Sequence, residues 1–248
     1  MKKNLWIEES DKYTERAQDF LNDKLFGNKD QVIAAQKVSS IISSYVDDPK
    51  NILDIGCAYG GLIYELMKSY SSTNFDGIDP GKKSIEVASQ NIQSDKAKFI
   101  EGCGDQLPFE DNKFDVVILT MVLQWVSRSD LIKTISEVDR VLKTGGVIFL
   151  EEYLPNQPVT SISRHSKDIS IYKNNYSEFF TIFPWFNEIY REVFQIENGP
   201  DHQRNISVIR KYPLNEAYKS INGPSELHSN FYSDNKLQIF KNLFYDKS

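Results

Sequence analysis

Apolar residues recur every three or four positions through "RAQDFLNDKLF" and "QVIAAQKVSSIISSYV", so residues 10–46 are expected to be helical until "DDPK" at 47–50 breaks the chain. The period then shortens. "NILDIG" is a compact apolar run that ends in Gly56, and "GLIYELMKSY" returns to helical spacing. The alternation repeats: "NFDGID" (74–79) as a strand, "GKKSIEVASQNI" as a helix, and "AKFIEG" (97–102) as a third strand. "KFDVVILT" (113–120) is continuously apolar, as a strand covered on both faces should be. "RSDLIKTISEVDRVL" reads as a helix that opens at Ser129 and Asp130 and is stopped by the glycines of "KTGG", ahead of a fifth strand, "GVIFLEEY". Strands that alternate with helices at this spacing predict an α/β fold with a doubly wound, mostly parallel sheet.

The pattern lapses after residue 152. "YLPNQPVTSISRHSKDISIYKNNY" is polar and carries Pro155 and Pro158, so it reads as an insertion. "SEFFTIFPWFNEIYREVF" is densely aromatic, and most of Tyr172, Tyr176, Phe179, Phe180, Phe183, Trp185, Phe186 and Tyr190 are expected in a helix core. "REVFQI" and "NISVIRKY" read as paired late strands, and "DNKLQIFKNLFY" as a final helix in a polar tail. Four segments follow: an N-terminal helical segment (1–46), a ligand-binding core (47–152), an insertion and helix (153–190), and last strands with a tail (191–248).

Composition narrows the function classes. With 40% hydrophobic residues, the 248-residue chain can bury a sizeable core. Its formal charge of −6, from 29 basic and 35 acidic residues with no basic run longer than two, argues against a nucleic-acid partner. Cys57 and Cys103 are expected to be free thiols in a reducing compartment, and the N-terminus has no apolar stretch of a signal peptide, so a cytoplasmic location is expected. No window is apolar enough to span a membrane. His165, His202 and His228 lie far apart and have no zinc-ligand spacing, so no metal is expected.

The chemistry is concentrated at the ends of the early strands, where a doubly wound sheet places its ligand. The loop after the first strand contains Gly56, Ala58, Gly60 and Gly61, small residues that let the backbone approach a ligand closely. Asp54 precedes it, and Asp79 ends the second strand, where a carboxylate can accept hydrogen bonds from both hydroxyls of a ribose. A nicotinamide loop has no acid before its first glycine, since the charge would repel a pyrophosphate; the acid here suits a ligand with an ammonium group. The loop also lacks the Gly-Lys-Ser/Thr ending of a phosphate-binding loop.

"LDIGCAYGG" resembles the first motif of the class I S-adenosylmethionine (SAM)-dependent methyltransferases. "GIDPGKKSIEVASQN", "FIEGCGDQLPFEDNKFDVVILTMVLQWV" and "EVDRVLKTGGVIFLEE" resemble the family's following segments in order, over roughly residues 45–152. The resemblance implies a Rossmann-like, seven-stranded sheet with helices on both faces and an antiparallel last strand. It implies that Asp54, Gly56, Ala58 and Gly60 surround the amino acid portion of SAM. Asp79 would hold the ribose, Pro80 would lie beside the adenine, and Cys103, Gly104 and Asp105 would lie near it. Met121, Gln124 and Trp125 would flank the methionine and the methyl group. Two positions depart from the pattern: Ala58 stands at the usual second glycine, and Cys103 where many relatives carry an acid.

Methyl transfer from a sulfonium is a direct displacement, so the enzyme must align an acceptor atom about 3 Å from the methyl and exclude water. For a hydroxyl acceptor a base helps. His165 in the insertion and Glu152 (or its neighbour Glu151) at the end of the fifth strand are the candidates. The insertion is expected to form the acceptor pocket, and its faint resemblance to polysaccharide-linked methyltransferases suggests a sugar or nucleotide-sugar hydroxyl. The N-terminal segment is a candidate lid over SAM. N- or C-methylation of another metabolite, an RNA or protein substrate, a non-catalytic SAM-fold partner and a nicotinamide oxidoreductase are the competing readings. The acidic charge counts against RNA, and "TMVLQW" stands where many amino-group methylators of DNA and protein carry an Asn/Asp-Pro-Pro motif.

Overall fold

The computed structural model describes residues 10–15, 26–27, 29–163, 169–195 and 203–213. Residues 10–15 are helical. The remaining elements, in chain order, are α1 (Lys29–Ser43), β1 (Asn51–Ile55), α2 (Gly61–Ser69), β2 (Asn74–Asp79), α3 (Lys82–Asn91), β3 (Ala97–Glu101) and β4 (Phe114–Thr120). A single 3-10 turn (Leu123–Trp125) leads into α4 (Arg128–Val141) and β5 (Leu142–Tyr153). Then come β6 (Val159–Ile162), β7 (Ser170–Lys173), α5 (Ser177–Thr181), β8 (Phe186–Gln195) and β9 (Gln203–Lys211).

Seven strands form one sheet in the order β3-β2-β1-β4-β5-β9-β8. β3, β2, β1, β4 and β5 pair in parallel, and β9 runs antiparallel to both of its neighbours. β6 and β7 form a separate antiparallel hairpin. The five parallel strands and the antiparallel late strand match the sequence expectation of a doubly wound Rossmann-like sheet.

Both faces of the sheet are covered, which is why β1 and β4 are nearly unbroken apolar runs. On one face α4 sets Leu131, Ile135, Val138 and Val141 at helical spacing against Leu53, Val117, Leu119 and Ile148. On the other, Ala35, Val38 and Ile42 of α1 and Ile63 and Leu66 of α2 pack on Ile52, Val116, Ile118 and Phe149. Each fully buried side chain of this size contributes about 1.5–3 kcal/mol relative to leaving it exposed.

Three expectations need correction. Residues 10–46 are not one helix: a bend at 26–27 separates α1 from the helical residues 10–15. The helix over 128–142 ends at Val141 without a glycine cap, because Leu142 already pairs with Phe114 in the sheet. The glycines of "KTGG" lie inside β5, where Gly145 (φ 86) accompanies the register shift between Phe114 and Val116. The aromatic stretch is mostly not helical. α5 holds only Phe179 and Phe180 of it, and β8 starts at Phe186, earlier than the boundary at 191. Its neighbours explain this: Phe186 and Tyr190 are drawn into the sheet against Lys211 and Val208 of β9. The polar insertion contains the β6–β7 hairpin. The final helix over "DNKLQIFKNLFY" lies outside the described residues.

Arg140 of α4 fastens the loop before β4. Its guanidinium donates to Glu137, Asp111 and the carbonyls of Leu107 and Phe109, while Glu137 accepts from the Leu107 N–H at 2.7 Å. Among the described residues, no helix is long and apolar enough to cross a membrane.

Candidate active site

The C-terminal ends of β2, β1, β4 and β5 open into one cleft of about 560 Å³. Of the residues singled out in the sequence, Gly56, Ala58, Asp79, Pro80, Cys103, Gly104, Asp105, Met121, Gln124 and Trp125 line it. Asp54 and Gly60 do not; Asp54 is buried in β1, and Gly60 is the residue before α2.

The turn after β1 is built by strong local constraints. Gly56 has φ 77, and a Cβ there would meet Val122 Cγ2 at 2.4 Å, so the loop lies directly against the segment that follows β4. Gly60 serves packing: its φ is 80, and a Cβ would meet Ile92 and Phe99 at 2.8 and 2.9 Å. Ala58, at the usual glycine position, adopts φ 47, a left-handed conformation that costs an alanine about 1–2 kcal/mol. Its N–H donates to Asp79 Oδ2 at 3.0 Å, which offsets part of that cost.

Asp79 is the hub of this end. Its Oδ1 accepts from the Gly81 N–H at 2.8 Å and from the Ser10 hydroxyl, so the carboxylate ties the glycine loop, the β2–α3 turn and the N-terminal helical residues together. Burial raises its pKa, against the pull of the hydrogen bonds from Ser10, Gly81 and Ala58. Residues 10–15 dock through further contacts: Asp11 accepts from the Lys83 N–H at 2.8 Å, Thr14 meets Ser84 at 2.5 Å and Glu15 pairs with Lys83. Ser10 and Tyr13 thereby become cleft wall, and the Ser10 hydroxyl takes a place on Asp79 that a ribose hydroxyl could use.

Asp54 is pushed up to about 8 by burial and, secondarily, by the charge of Asp79. A cation held against the loop above it would favour its ionised form. Binding of SAM should therefore expel a proton, and affinity should rise as pH increases from about 6 towards 8. Calorimetric titrations in two buffers of different ionisation enthalpy measure this; binding with no proton released at pH 7 would remove Asp54 from that role.

The second half of the cleft was not legible beforehand. Its walls include Tyr153 at the end of β5, Ser163 and Ile171 from the hairpin, and Arg204 at the start of β9. The strand runs were visible in the sequence, but the antiparallel register that sets Arg204 opposite Tyr153 was not. The two base candidates are placed differently. His165 lies outside the described residues. Glu152 is fully buried and is absent from the cleft lining; it accepts from the Leu123 N–H at 2.5 Å, beneath the turn that carries Gln124 and Trp125. Glu151 pairs with Arg204 at 3.2 Å. Cys57 is buried and Cys103 half-buried, and neither forms a disulfide among the described residues.

Residues 53–150 match the family model described as a methyltransferase domain. The chain is 31% identical over 114 residues to a malonyl-(acyl-carrier protein) O-methyltransferase of Halalkalibacterium halodurans, covering 44% of this chain and 41% of the relative. It is 37% identical over 110 residues to a demethylmenaquinone methyltransferase of Staphylococcus aureus, covering 43% and 45%. The chain thus spans less than half the length of these curated relatives. Among solved structures, a 1,6-didemethyltoxoflavin-N1-methyltransferase of Burkholderia thailandensis, crystallised with S-adenosylhomocysteine (SAH), superposes with a TM-score of 0.62 at 12% identity, covering 84% of this chain and 88% of that one. Residues 53–150 are thus similar to a methyltransferase domain, and the seven-stranded sheet that carries them shares its fold with that solved methyltransferase.

Proposed function

We propose that the protein transfers a methyl group from SAM to a small-molecule acceptor, with a hydroxyl as the acceptor atom and sugars or nucleotide sugars as the first compounds to try. The observation that carries this reading is the continuity of the cleft: one cavity runs from Asp79 and the glycine loop, past Met121 and Trp125, to the hairpin and Arg204. Its volume falls in the range that small-molecule sites occupy.

In this reading Asp79 holds the ribose and Asp54 favours the ammonium, with the backbone at Gly56 and Ala58 against the amino acid portion. Pro80, Cys103, Gly104 and Asp105 border the adenine. Gln124 and Trp125 flank the methyl and exclude water, and the β6–β7 hairpin walls the acceptor. SAM supplies an electrophilic methyl; the chain's part is alignment and a dry, preorganised site. The carboxylates on the cleft wall among the described residues, Asp79, Asp105 and Asp130, belong to β2, to the loop after β3 and to α4. None belongs to the half bordered by Tyr153, Ser163, Ile171 and Arg204. This supports a transfer driven by positioning more than by a carboxylate base. Residues 10–15 act as part of a lid that exchanges Ser10 for ribose on Asp79.

The test is calorimetric titration of the protein with SAM and with SAH, followed by methyl transfer from labelled SAM to sugars, nucleotide sugars and small hydroxylated metabolites. Micromolar binding of both ligands with transfer to one acceptor class is expected. A folded protein that binds neither ligand would reject the reading in favour of a non-catalytic partner role.

A further inference from the structure

We propose that Arg204 anchors an anionic group of the methyl acceptor, so that the acceptor carries a carboxylate or a phosphate. This rests on the methyl-transfer reading above and names the substrate class for the same cleft.

Position is the first argument. Arg204 opens β9 and stands opposite Tyr153 of β5. In the order β2-β1-β4-β5-β9 it is four strand spacings from Asp79. At about 4.8 Å per spacing, that is roughly 19 Å along the sheet edge. The ribose end lies at β2 and the glycine loop above β1, so Arg204 is in the half of the cleft left to the acceptor. Among the described residues that line the cleft it is the basic one; Asp79, Asp105 and Asp130 are acids.

The second argument is how little holds its guanidinium. Arg140 shows what a structural arginine looks like in this protein: its Nε and both terminal nitrogens donate to carboxylates or carbonyls at 2.6–2.9 Å. Among the described residues Arg204 gives one bond, from Nη1 to Glu151 Oε1 at 3.2 Å, which is long for a charge-assisted pair. Its Nε is buried and finds no acceptor among the described residues, an arrangement that is costly to leave unmatched. Arg210 also has an unpaired Nε, but it caps the Tyr45 carbonyl away from the cleft. A site that leaves donors of an arginine unmatched on a cleft wall is poised for an oxyanion that can match two of them at once.

The surroundings fit such a ligand. The guanidinium carbon lies 5.3 Å from the centre of the Tyr153 ring, within the range of a cation–π attraction that holds the side chain at the cleft wall. Lys173 Nζ lies 4.4 Å from the centre of the same ring. A planar or tetrahedral oxyanion seated on Arg204 would place the remainder of the acceptor between Tyr153, Ile171 and Met121, towards the methyl end.

A carboxylate at this place could belong to the acceptor or to the methionine portion of the cofactor, and the experiment separates the two. Wild type, Arg204→Met and Arg204→Lys are compared, with thermal unfolding as the folding control. SAM affinity is measured first by calorimetry. Malonate and inorganic pyrophosphate are then titrated into SAH-saturated protein. The expected result is that wild type binds at least one anion, that Arg204→Met weakens it tenfold or more, that Arg204→Lys retains part of it, and that SAM affinity stays within twofold in all three. A tenfold loss of SAM affinity in Arg204→Met would assign the guanidinium to the cofactor and overturn the proposal. So would wild-type protein that binds SAH and neither anion, or anion affinities equal in wild type and both variants. Failure of wild type to bind SAM or SAH would instead overturn the methyl-transfer reading, and it is seen before any anion is added.

Discussion

Asp79→Asn is expected to weaken SAM binding by about 100-fold or more while the protein still folds. The carboxylate has two oxygens at the end of β2, already oriented by the Ala58 and Gly81 N–H groups. Hydrogen bonds to a charged group contribute about 1.5–3 kcal/mol each, so losing the pair offered to a ribose removes about 3 kcal/mol or more. Asparagine keeps the shape but presents an NH₂ where one oxygen accepted a backbone N–H. The loop is therefore left misaligned as well as uncharged. The fold should survive because neither large apolar core includes Asp79. A second consequence is specific to the charge. Asp79 helps push Asp54 upward, so in the variant Asp54 should titrate at lower pH and the proton release on SAM binding at pH 7 should shrink. Calorimetry reads both effects; unchanged affinity would remove Asp79 from the site.

The parallel part of the fold was legible because two signals agree there. The continuous burial of β1 and β4 gives unmistakable runs, and the intervening helices carry a clear apolar stripe. The half of the cleft at β1, β2 and β4 was legible because its residues are local to strand ends, so chain position alone puts Gly56, Asp79 and Met121 at one edge. What escaped depends on contacts between distant segments. Glu151 and Glu152 look equivalent in sequence. The alternation of the strand puts Glu151 beside Arg204 and Glu152 into the opposite face, under the turn after β4. The aromatic stretch looked like a helix core because its residues are large and apolar. Its members from Phe186 onward are instead held by pairing with β9, a non-local preference that outweighs local propensity. The Arg140–Glu137 clamp on the loop at 107–111 combines a helical pair with carbonyls about thirty residues upstream, which no local pattern reveals.

Glu152 is expected to matter as a positioning residue, and its variants should separate charge from hydrogen bonding. Its carboxyl is fully buried, and its Oε1 accepts from the Leu123 N–H at 2.5 Å. It thus holds the turn that follows Met121, which sits at φ 58, a strained backbone for a long side chain at the edge of the cleft. Glu152→Ala leaves the Leu123 N–H buried without its acceptor and opens a cavity. A loss of about 3 kcal/mol or more in stability is expected, together with weaker SAM binding as the wall at Met121–Trp125 relaxes. Glu152→Gln should rescue the affinity to within a few-fold. Burial pushes Glu152 to about 8, so at pH 7 the native carboxyl is protonated, and glutamine reproduces an acceptor and a donor in one group. The cross-strand neighbour Asn205 has a buried Oδ1 with no partner among the described residues, as has Glu152 Oε2. The pH dependence has a definite sign. Between the unfolded value near 4.5 and the folded value near 8 the native state binds the extra proton. Stability therefore falls as pH rises through that window, by up to about 1.4 kcal/mol per pH unit from this one group. Denaturant unfolding at several pH values should show that slope reduced in Glu152→Gln, with the variant gaining on wild type as pH approaches 8. A parallel pair of curves would mean that Glu152 is ionised in the native protein, and a Gln variant as damaged as Ala would mean that the negative charge itself holds the turn.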